Sequence, residues 1–230
     1  MIRKISKYQI ATLLALLFHF FGLIGILFWD KSFFMESTPI NLLLMFVLLI
    51  WTQADENKQF AFFVITAFVV GFTAEVIGVN TGLLFGDYAY GETLGTKLAG
   101  VPLLIGVNWF VIIYCSGVSV STLLTKVVYK VSEKAQQPPI ALKALSVIAD
   151  GATLAVFFDW MMEPVAVKLG FWQWNGDGTI PLYNYGCWFV ISIVLLTIFH
   201  FCKFSKENKF AVNLLLIQIM FFLLLRTFSK

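Results

Sequence analysis

Long apolar runs are the feature that most constrains how this chain can fold. Seven stretches are dominated by apolar side chains: residues 8–29, 40–53, 60–79, 101–125, 140–163, 187–202 and 210–226. A helix that crosses the hydrocarbon core of a bilayer needs roughly 20 such residues. Hydrophobic residues make up 60% of the chain, well above the share in an ordinary soluble domain. We therefore predict an all-α polytopic membrane protein with about seven spans, formed as a single membrane domain over residues 1–230.

The distribution of basic residues predicts the orientation of the spans. If the N-terminus lies inside, eleven of the sixteen lysines and arginines fall on inner segments. Positively charged residues concentrate on the cytoplasmic side of membrane proteins, so we predict an N-in, C-out topology. The net charge of +3 is then a topology signal, and it gives no support for nucleic acid as a partner.

Residue types that bind metals or cofactors are scarce. Cys115, Cys187 and Cys202 are odd in number and lack the spacing of a metal site. His19 and His200 both fall inside predicted spans and are too few for a histidine-rich iron site. No glycine-rich phosphate loop opens a helix. We therefore expect neither a metal nor a cofactor.

Two predicted outer loops, residues 80–100 and 164–186, share one order of features. Each follows an acid in a span and continues with glycine, two aromatic residues separated by one position, proline and tryptophan, as in "FGDYAYGETLGTKLAGVP" followed by Trp109. "PLLIGVNW" and "PLYNYGCW" begin with the same dipeptide and end on tryptophan. This order suggests a parallel pseudo-repeat of helical hairpins 60–125 and 140–202. The alternative is that membrane loops commonly use glycine, proline and tryptophan for turns and interfaces.

The prolines and glycines in and beside these loops allow more specific predictions. Pro102 and Pro181 suit the first turn of a returning helix, where a missing N–H costs nothing. Gly78, Gly82 and Gly86 recur at every fourth position. Helix packing is the favoured role for Gly78, whereas Gly86 is open between packing and a loop backbone that approaches a ligand.

Carboxylic acids inside the spans are the candidate catalytic residues. Asp159 and Glu163 are four residues apart and share one helix face, while Glu75 lies at the outer end of another span. Acids in spans usually mark functional sites, although Glu75 and Glu163 could instead reach interfacial water. Poor solvation and a position near a helix C-terminus disfavour negative charge, which suits a general acid. Asp150 is a weaker candidate.

Aromatic side chains gather at the same predicted level as the acids: Phe85, Tyr88, Tyr90, Trp109, Trp160, Trp172, Trp174 and Trp188. An interfacial aromatic belt accounts for part of this set. The rest are candidates for lining an apolar slot and facing a cation. Together with an uncharged acid, such a slot suits chemistry that begins with protonation of an alkene.

Three segments resemble the membrane hydratases of carotenoid biosynthesis: "EVIGVNTGLLFGDYAYGETLGTKLAGVPLLIGVNW", "FDWMMEPVAVKLGFWQW" and "PLYNYGCW". The resemblance implies addition of water to the terminal double bond of an acyclic carotenoid end, without a cofactor, in a bacterial or archaeal cell membrane. It adds Asn184 to the candidate substrate-binding residues. The chain departs from the family pattern at Glu163, where aspartate is common, and at Cys187, where glycine is common.

Other functions share parts of this pattern. A small membrane carotenoid cyclase would use the same protonation step but would exclude water. A proton-coupled transporter also needs acids inside spans, although it usually places them near the midplane between inverted repeats. The exact carotenoid and the oligomeric state are left open at this stage.

Overall fold

The computed structural model describes residues 5–131 and 140–229, and it confirms the prediction of an all-α polytopic membrane protein. The helices are α1 Lys7–Phe28, α2 Lys31–Glu36, α3 Thr38–Thr52, α4 Lys58–Thr81, α5 Leu104–Val131, α6 Ile140–Lys168, α7 Leu182–Phe201 and α8 Lys209–Phe228. In this part of the chain, seven helical segments are long and apolar enough to cross a membrane. The N-in, C-out orientation remains a prediction, and four of its basic residues, Arg3, Lys4, Lys134 and Lys230, lie outside the described segments.

The second span is longer than the sequence predicted. It begins at Lys31 instead of residue 40, because the short helix α2 leads directly into α3. Asp30 caps α2 by accepting a hydrogen bond from the backbone N–H of Phe33 at 3.1 Å. Pro39, in the first turn of α3, has no N–H to continue the preceding helix. The chain therefore bends at Ser37 without leaving the span.

Helix α6 also continues beyond its predicted end, through Pro164 to Lys168. A proline inside a helix cannot donate to the carbonyl four residues earlier, which here belongs to Trp160. The Arg226 guanidinium donates to that carbonyl at 3.1 Å. This contact from α8 satisfies the freed oxygen and lets α6 carry its acids further along the same helix.

Helix α5 lies at the centre of the bundle. It contacts α3, α4, α6, α7 and α8, and 83% of its most apolar window is buried. Close approach to α4 depends on Gly71, because a Cβ there would overlap the side chain of Trp109. The N-terminal end of α5 is thus held against α4 at the level where the candidate site residues lie.

The two long loops meet in a short β ribbon that the sequence did not predict. Strand β1, Tyr88–Tyr90, pairs antiparallel with β4, Trp172–Trp174, so that Tyr88 faces Trp174 and Tyr90 faces Trp172. Strands β2, Lys97–Leu98, and β3, Val101–Pro102, form a second ribbon. The expectation for Pro102 is therefore wrong, because it lies in β3 before α5 begins. Pro181 lies immediately before α7.

Two glycines let the loops pack closely against their surroundings. A Cβ on Gly78 would lie 2.8 Å from the Tyr88 hydroxyl, so Gly78 makes room for its own loop and not for a neighbouring helix as expected. Gly86 has a φ of 127°, and its Cβ would lie 3.0 Å from Pro181, so here one loop packs against the other. The pseudo-repeat of hairpins 60–125 and 140–202 stays a hypothesis.

Candidate active site

The structure brings the three predicted acids together. Glu75, Asp159 and Glu163 all line one cavity of about 20 Å³, which we call the acid cavity. Their exposed fractions are 4%, 0% and 3%. A cavity of this size holds about one water molecule. The site therefore combines three buried carboxyl groups with space for about one water molecule.

Glu75 is held by three hydrogen-bond donors. The hydroxyls of Tyr88 and Tyr90 both donate to Oε2, the latter at 2.8 Å, and Trp109 Nε1 donates to Oε1 at 3.0 Å. Burial, followed by the nearby charge of Glu75, raises the pKa of both tyrosines well above their usual range. The phenols therefore remain donors, and a carboxylate, which only accepts, matches them.

Glu163 is held by the other strand of the β1–β4 ribbon. Trp172 Nε1 and Trp174 Nε1 both donate to Glu163 Oε1 at 2.7 Å. Residues two apart on a strand point to the same face of a sheet, which explains why both indoles reach one oxygen. In each case, the aromatic pair of a strand contacts the acid on the helix that precedes its own loop.

Asp159 is the acid with the fewest partners. It precedes Glu163 by one turn of α6, and its Oδ2 accepts a hydrogen bond from Asn184 Nδ2 at 2.9 Å. Its Oδ1 is buried and has no partner among the described residues. Buried polar atoms are rarely left unpaired, so Oδ1 is the position where a reactant or water is most needed.

Aromatic residues close the acid cavity. Trp109 and Trp188 stack with ring centroids 3.8 Å apart and planes at 13°, and the remaining predicted aromatics in its wall are Phe85, Tyr88, Tyr90, Trp172 and Trp174. Cys187 has a defined role beside them, because its sulfur accepts a hydrogen bond from the backbone N–H of Phe85 at 3.3 Å. Phe85 adopts a φ of 65°, a left-handed conformation that this contact helps to hold.

Two residues considered from the sequence lie outside the site. Trp160 is 42% exposed and does not line the acid cavity. Its ring lies 4.3 Å from the Arg226 guanidinium, which is a structural contact at the bundle surface. Asp150 is exposed on α6. The structure therefore narrows the predicted set to the acids, Asn184 and seven of the eight aromatic residues.

A second and larger cavity was not predicted. It measures about 620 Å³ and is lined by α1, α2, α3, α5, α6, α8 and the two long loops, so we call it the large cavity. It shares Ile105, Asn108, Met162 and Trp172 with the acid cavity. Asn108 is the polar residue that sequence reasoning missed, although an amide inside the apolar run of α5 was a usable signal.

The residues of the site do not form an evident metal centre. Across residues 5–131 and 140–229, no three histidine, cysteine or acidic side chains are grouped to hold a metal ion. The wall of the acid cavity offers carboxyl groups, phenol and indole donors, two amides and aromatic faces.

Fold and site together define a polytopic α-helical membrane protein with a buried three-carboxyl site beneath paired loops. The chain belongs to the carotenoid biosynthesis protein family, whose model matches residues 37–229, and this confirms the resemblance seen in the sequence. It is 29% identical over 158 residues to the bisanhydrobacterioruberin hydratase of Haloarcula japonica, which covers 66% of this chain. The match spans about half (48%) of that relative. No solved structure matches the chain.

Proposed function

We propose that this protein is a carotenoid hydratase that adds water to the terminal C=C bond of an acyclic carotenoid end group, giving a tertiary alcohol. The observation that carries the proposal is the acid cavity, which joins a buried carboxyl oxygen without a partner to space for one water molecule. Membership of the carotenoid biosynthesis family supports the choice of a polyene as the molecule that receives that water.

Asp159 is assigned the role of proton donor. Its single hydrogen bond leaves Oδ1 without a partner, which fits a protonated carboxyl whose O–H points toward the reactant. The π electrons of the terminal double bond take this proton, and positive charge develops on the more substituted carbon. Asn184 keeps the carboxyl oriented through Oδ2 during the transfer.

The aromatic wall and the other two acids stabilise that charge. A tryptophan face attracts a cation, and each ring of the Trp109–Trp188 stack keeps one face turned away from the other. The three donors around Glu75 suit the ionised form of that carboxyl. A fixed negative charge in a water-poor site lowers the energy of a developing cation far more than it would in bulk water. Glu75 thus serves as a counter-charge and as an acceptor that orients water.

Glu163 is assigned the role of base. Both indole bonds fall on its Oε1, and its Oε2 accepts no hydrogen bond from the described residues. The oxygen of the water molecule bonds to the cationic carbon and loses a proton to Glu163. Return of that proton to Asp159, one helical turn away, restores the starting state, so the net change is the addition of one water molecule.

The space for water also distinguishes hydration from the closest alternative. A carotenoid cyclase would begin with the same protonation, but the cation would be captured by a second double bond and a proton would then be lost. The product of a cyclase has the composition of its substrate. The product of a hydratase is heavier by one water molecule.

The direct test is the origin of the product oxygen. Washed membranes containing this protein should convert an acyclic carotene to a tertiary alcohol without added nucleotide, flavin or metal. In water labelled with heavy oxygen, the alcohol should carry the label. A product that takes its label from molecular oxygen, or one isomeric with the substrate, would contradict the hydratase mechanism.

A further inference from the structure

The large cavity has the size and surface of a binding site for an apolar molecule. Its volume of about 620 Å³ lies within the range typical of small-molecule sites, roughly 300–1,000 Å³. Its wall is mainly aliphatic and aromatic, including Leu17, Phe18, Ile26, Phe34, Phe158 and Phe222. The proton chemistry described above uses none of these side chains.

The large cavity adjoins the acid cavity. Ile105 and Asn108 of α5, Met162 of α6 and Trp172 of β4 line both cavities. These four side chains form a wall that the two cavities share. Trp172 also donates to Glu163. The same side chain would therefore contact an apolar molecule in the large cavity and orient the proposed base.

Two buried polar side chains in the wall indicate a ligand site and not simple packing. Gln218 is 8% exposed, and its Oε1 has no partner in the described part of the chain. His19 is 6% exposed, and its Nδ1 contacts the carbonyl of Ala15 at 2.8 Å. A carbonyl only accepts, so Nδ1 is the donor and Nε2 is left as an acceptor. Polar groups in spans that lack partners are costly and usually functional.

These two polar groups lie at about the same level of the bundle. Helices α1 and α8 are linked by a hydrogen bond from Asn213 to Thr12 at 2.9 Å and, further along both helices, by contact of His19 with Phe221. The helices therefore run in the same direction. At 1.5 Å per residue, His19 and Gln218 lie about 11 Å and about 8 Å beyond that link. The large cavity thus has a polar position in its mostly apolar wall.

Helix α1 contributes Leu17, Phe18, His19, Phe21, Gly22 and Ile26 to the wall of the large cavity and lies outside the residues that match the family model, 37–229. We propose that the large cavity binds the polyene chain of the substrate, and that α1 determines which chains can present their terminal double bond to the acid cavity. This inference rests on the proposed function for the identity of the chain. The competing occupant is an ordinary lipid acyl chain, which the experiment distinguishes.

Gly22 of α1 is the position from which the cavity can be filled. A Cβ on Gly22 would lie 3.6 Å from Phe221, an ordinary contact, so Gly22→Leu extends into the cavity without displacing the backbone. The matched control is Gly186→Leu on α7. There a Cβ would meet nothing within 4 Å, and Gly186 lines neither cavity. Ile26→Phe, also on α1, is a second filling variant with a smaller change in shape.

The experiment uses full-length protein in lipid nanodiscs loaded with an acyclic carotene. The first readout is carotene retained per protein after exchange against empty nanodiscs. The second is turnover of two alkenes with the same terminal double bond, the full carotene and a short isoprenoid. Gly22→Leu should retain at least about tenfold less carotene than Gly186→Leu, since a polyene that fills the cavity would overlap the added side chain and overpacking commonly costs this much. It should slow turnover of the carotene but not of the short isoprenoid.

The outcomes separate this inference from the proposed function. Unchanged retention in both filling variants, or no retention of carotene by the wild type, overturns the inference and leaves lipid as the occupant. Equal slowing of both alkenes also overturns it, since the variant then disturbs the acid cavity itself. Loss of retention in the filling variants, with no hydration by the wild type, supports the cavity and refutes the hydratase.

Discussion

The two loop-bearing hairpins, α4 with α5 and α6 with α7, use similar residues for different tasks. In each, an acid on the first helix receives hydrogen bonds from an aromatic pair on the following strand. In the first hairpin, the tryptophan on the returning helix, Trp109, adds a further donor to Glu75. Its counterpart Trp188 stacks on Trp109. The first hairpin thus satisfies its acid completely.

The difference between the hairpins lies one turn before each acid. Four residues before Glu75 stands Gly71, which the Trp109 side chain packs against. Four residues before Glu163 stands Asp159, which accepts a hydrogen bond from Asn184. Asn184 follows the proline of the second hairpin by three residues, and the residue at the same place in the first hairpin is Ile105. One hairpin therefore closes this space with packing, and the other fills it with a carboxyl that has an unpartnered oxygen. Under the proposed function, the first hairpin would bind the developing charge and the second would transfer the proton.

Removing the acid that has no counterpart should have the largest effect. Asp159→Asn keeps the shape of the side chain but removes the transferable proton. General acid catalysis typically contributes about a hundredfold to ten-thousandfold, so turnover at equal membrane abundance should fall at least a hundredfold. Asp150→Asn, an exposed change on the same helix, should be nearly silent. Near-normal turnover in Asp159→Asn would shift the donor role to Glu163 or Glu75.

Amide variants of the two matched acids should differ in stability. Glu163→Gln can keep both indole bonds, because both fall on Oε1. In Glu75→Gln the amide oxygen can accept from Trp109 or from the two tyrosines but not from both, because the donors are divided between the two oxygens. If it faces Trp109, the O–H protons of Tyr88 and Tyr90 lose their acceptor; if it faces the tyrosines, the indole N–H, which can only donate, loses its acceptor. An unsatisfied buried group lowers the free energy of unfolding by about 1–3 kcal/mol. In a protein of this size, each kcal/mol lowers the melting temperature by about 2–4 °C.

Thermal unfolding in one detergent provides the measurement. Glu75→Gln should melt lower than Glu163→Gln, while both lose turnover because each removes a carboxyl group from the acid cavity. Equal melting temperatures would show that the extra donor on Glu75 does not contribute to stability. The two hairpins would then differ only in Asp159. Glu163→Asp should be milder than Glu163→Gln, because it retains an acid.

Deleting one donor should have an intermediate effect. Tyr90→Phe removes the hydroxyl that donates to Glu75 at 2.8 Å and keeps the ring. A hydrogen bond to a charged group is worth about 1.5–3 kcal/mol, so turnover should fall about tenfold or more. The same change at Tyr183, whose hydroxyl donates to the carbonyl of Leu83 outside the site, should alter turnover less than twofold by the ordinary scale of surface changes. Similar losses in both variants would assign the effect to loop packing.

The exposed end of the β1–β4 ribbon should have the smallest effect. Asn175 donates from Nδ2 to Asp87 Oδ1 at 2.6 Å, which links the two loops beyond the strands. Asn175→Ala should cost about 0.5 kcal/mol, as is usual for surface substitutions, with nearly unchanged turnover of carotene. A large loss of turnover would mean that the position of the ribbon depends on the hydrogen bond between Asn175 and Asp87 and not on the bonds to Glu75 and Glu163.

The sequence by itself determined the membrane class, the approximate positions of the spans and the three acids. Each of these depends on residues close together in the chain. A spanning helix must satisfy its own backbone hydrogen bonds within one segment, so its apolar run is legible in the sequence. An acid within that run stands out because the bilayer makes it costly. Asp159, Glu163 and Glu75 were identifiable for this reason.

Only the tertiary structure decided how these acids differ and what lies beside them. The pairing of Tyr88 with Trp174 joins residues from separate loops, and no local pattern encodes that register. Trp160 is aromatic like the residues of the site, yet its ring lies against Arg226. Its direction depends on the packing of α6 against α8. The large cavity is formed by helices from both ends of the chain, and its apolar wall has the composition of any membrane helix. A space between helices depends on how they pack, and so it became visible only in three dimensions.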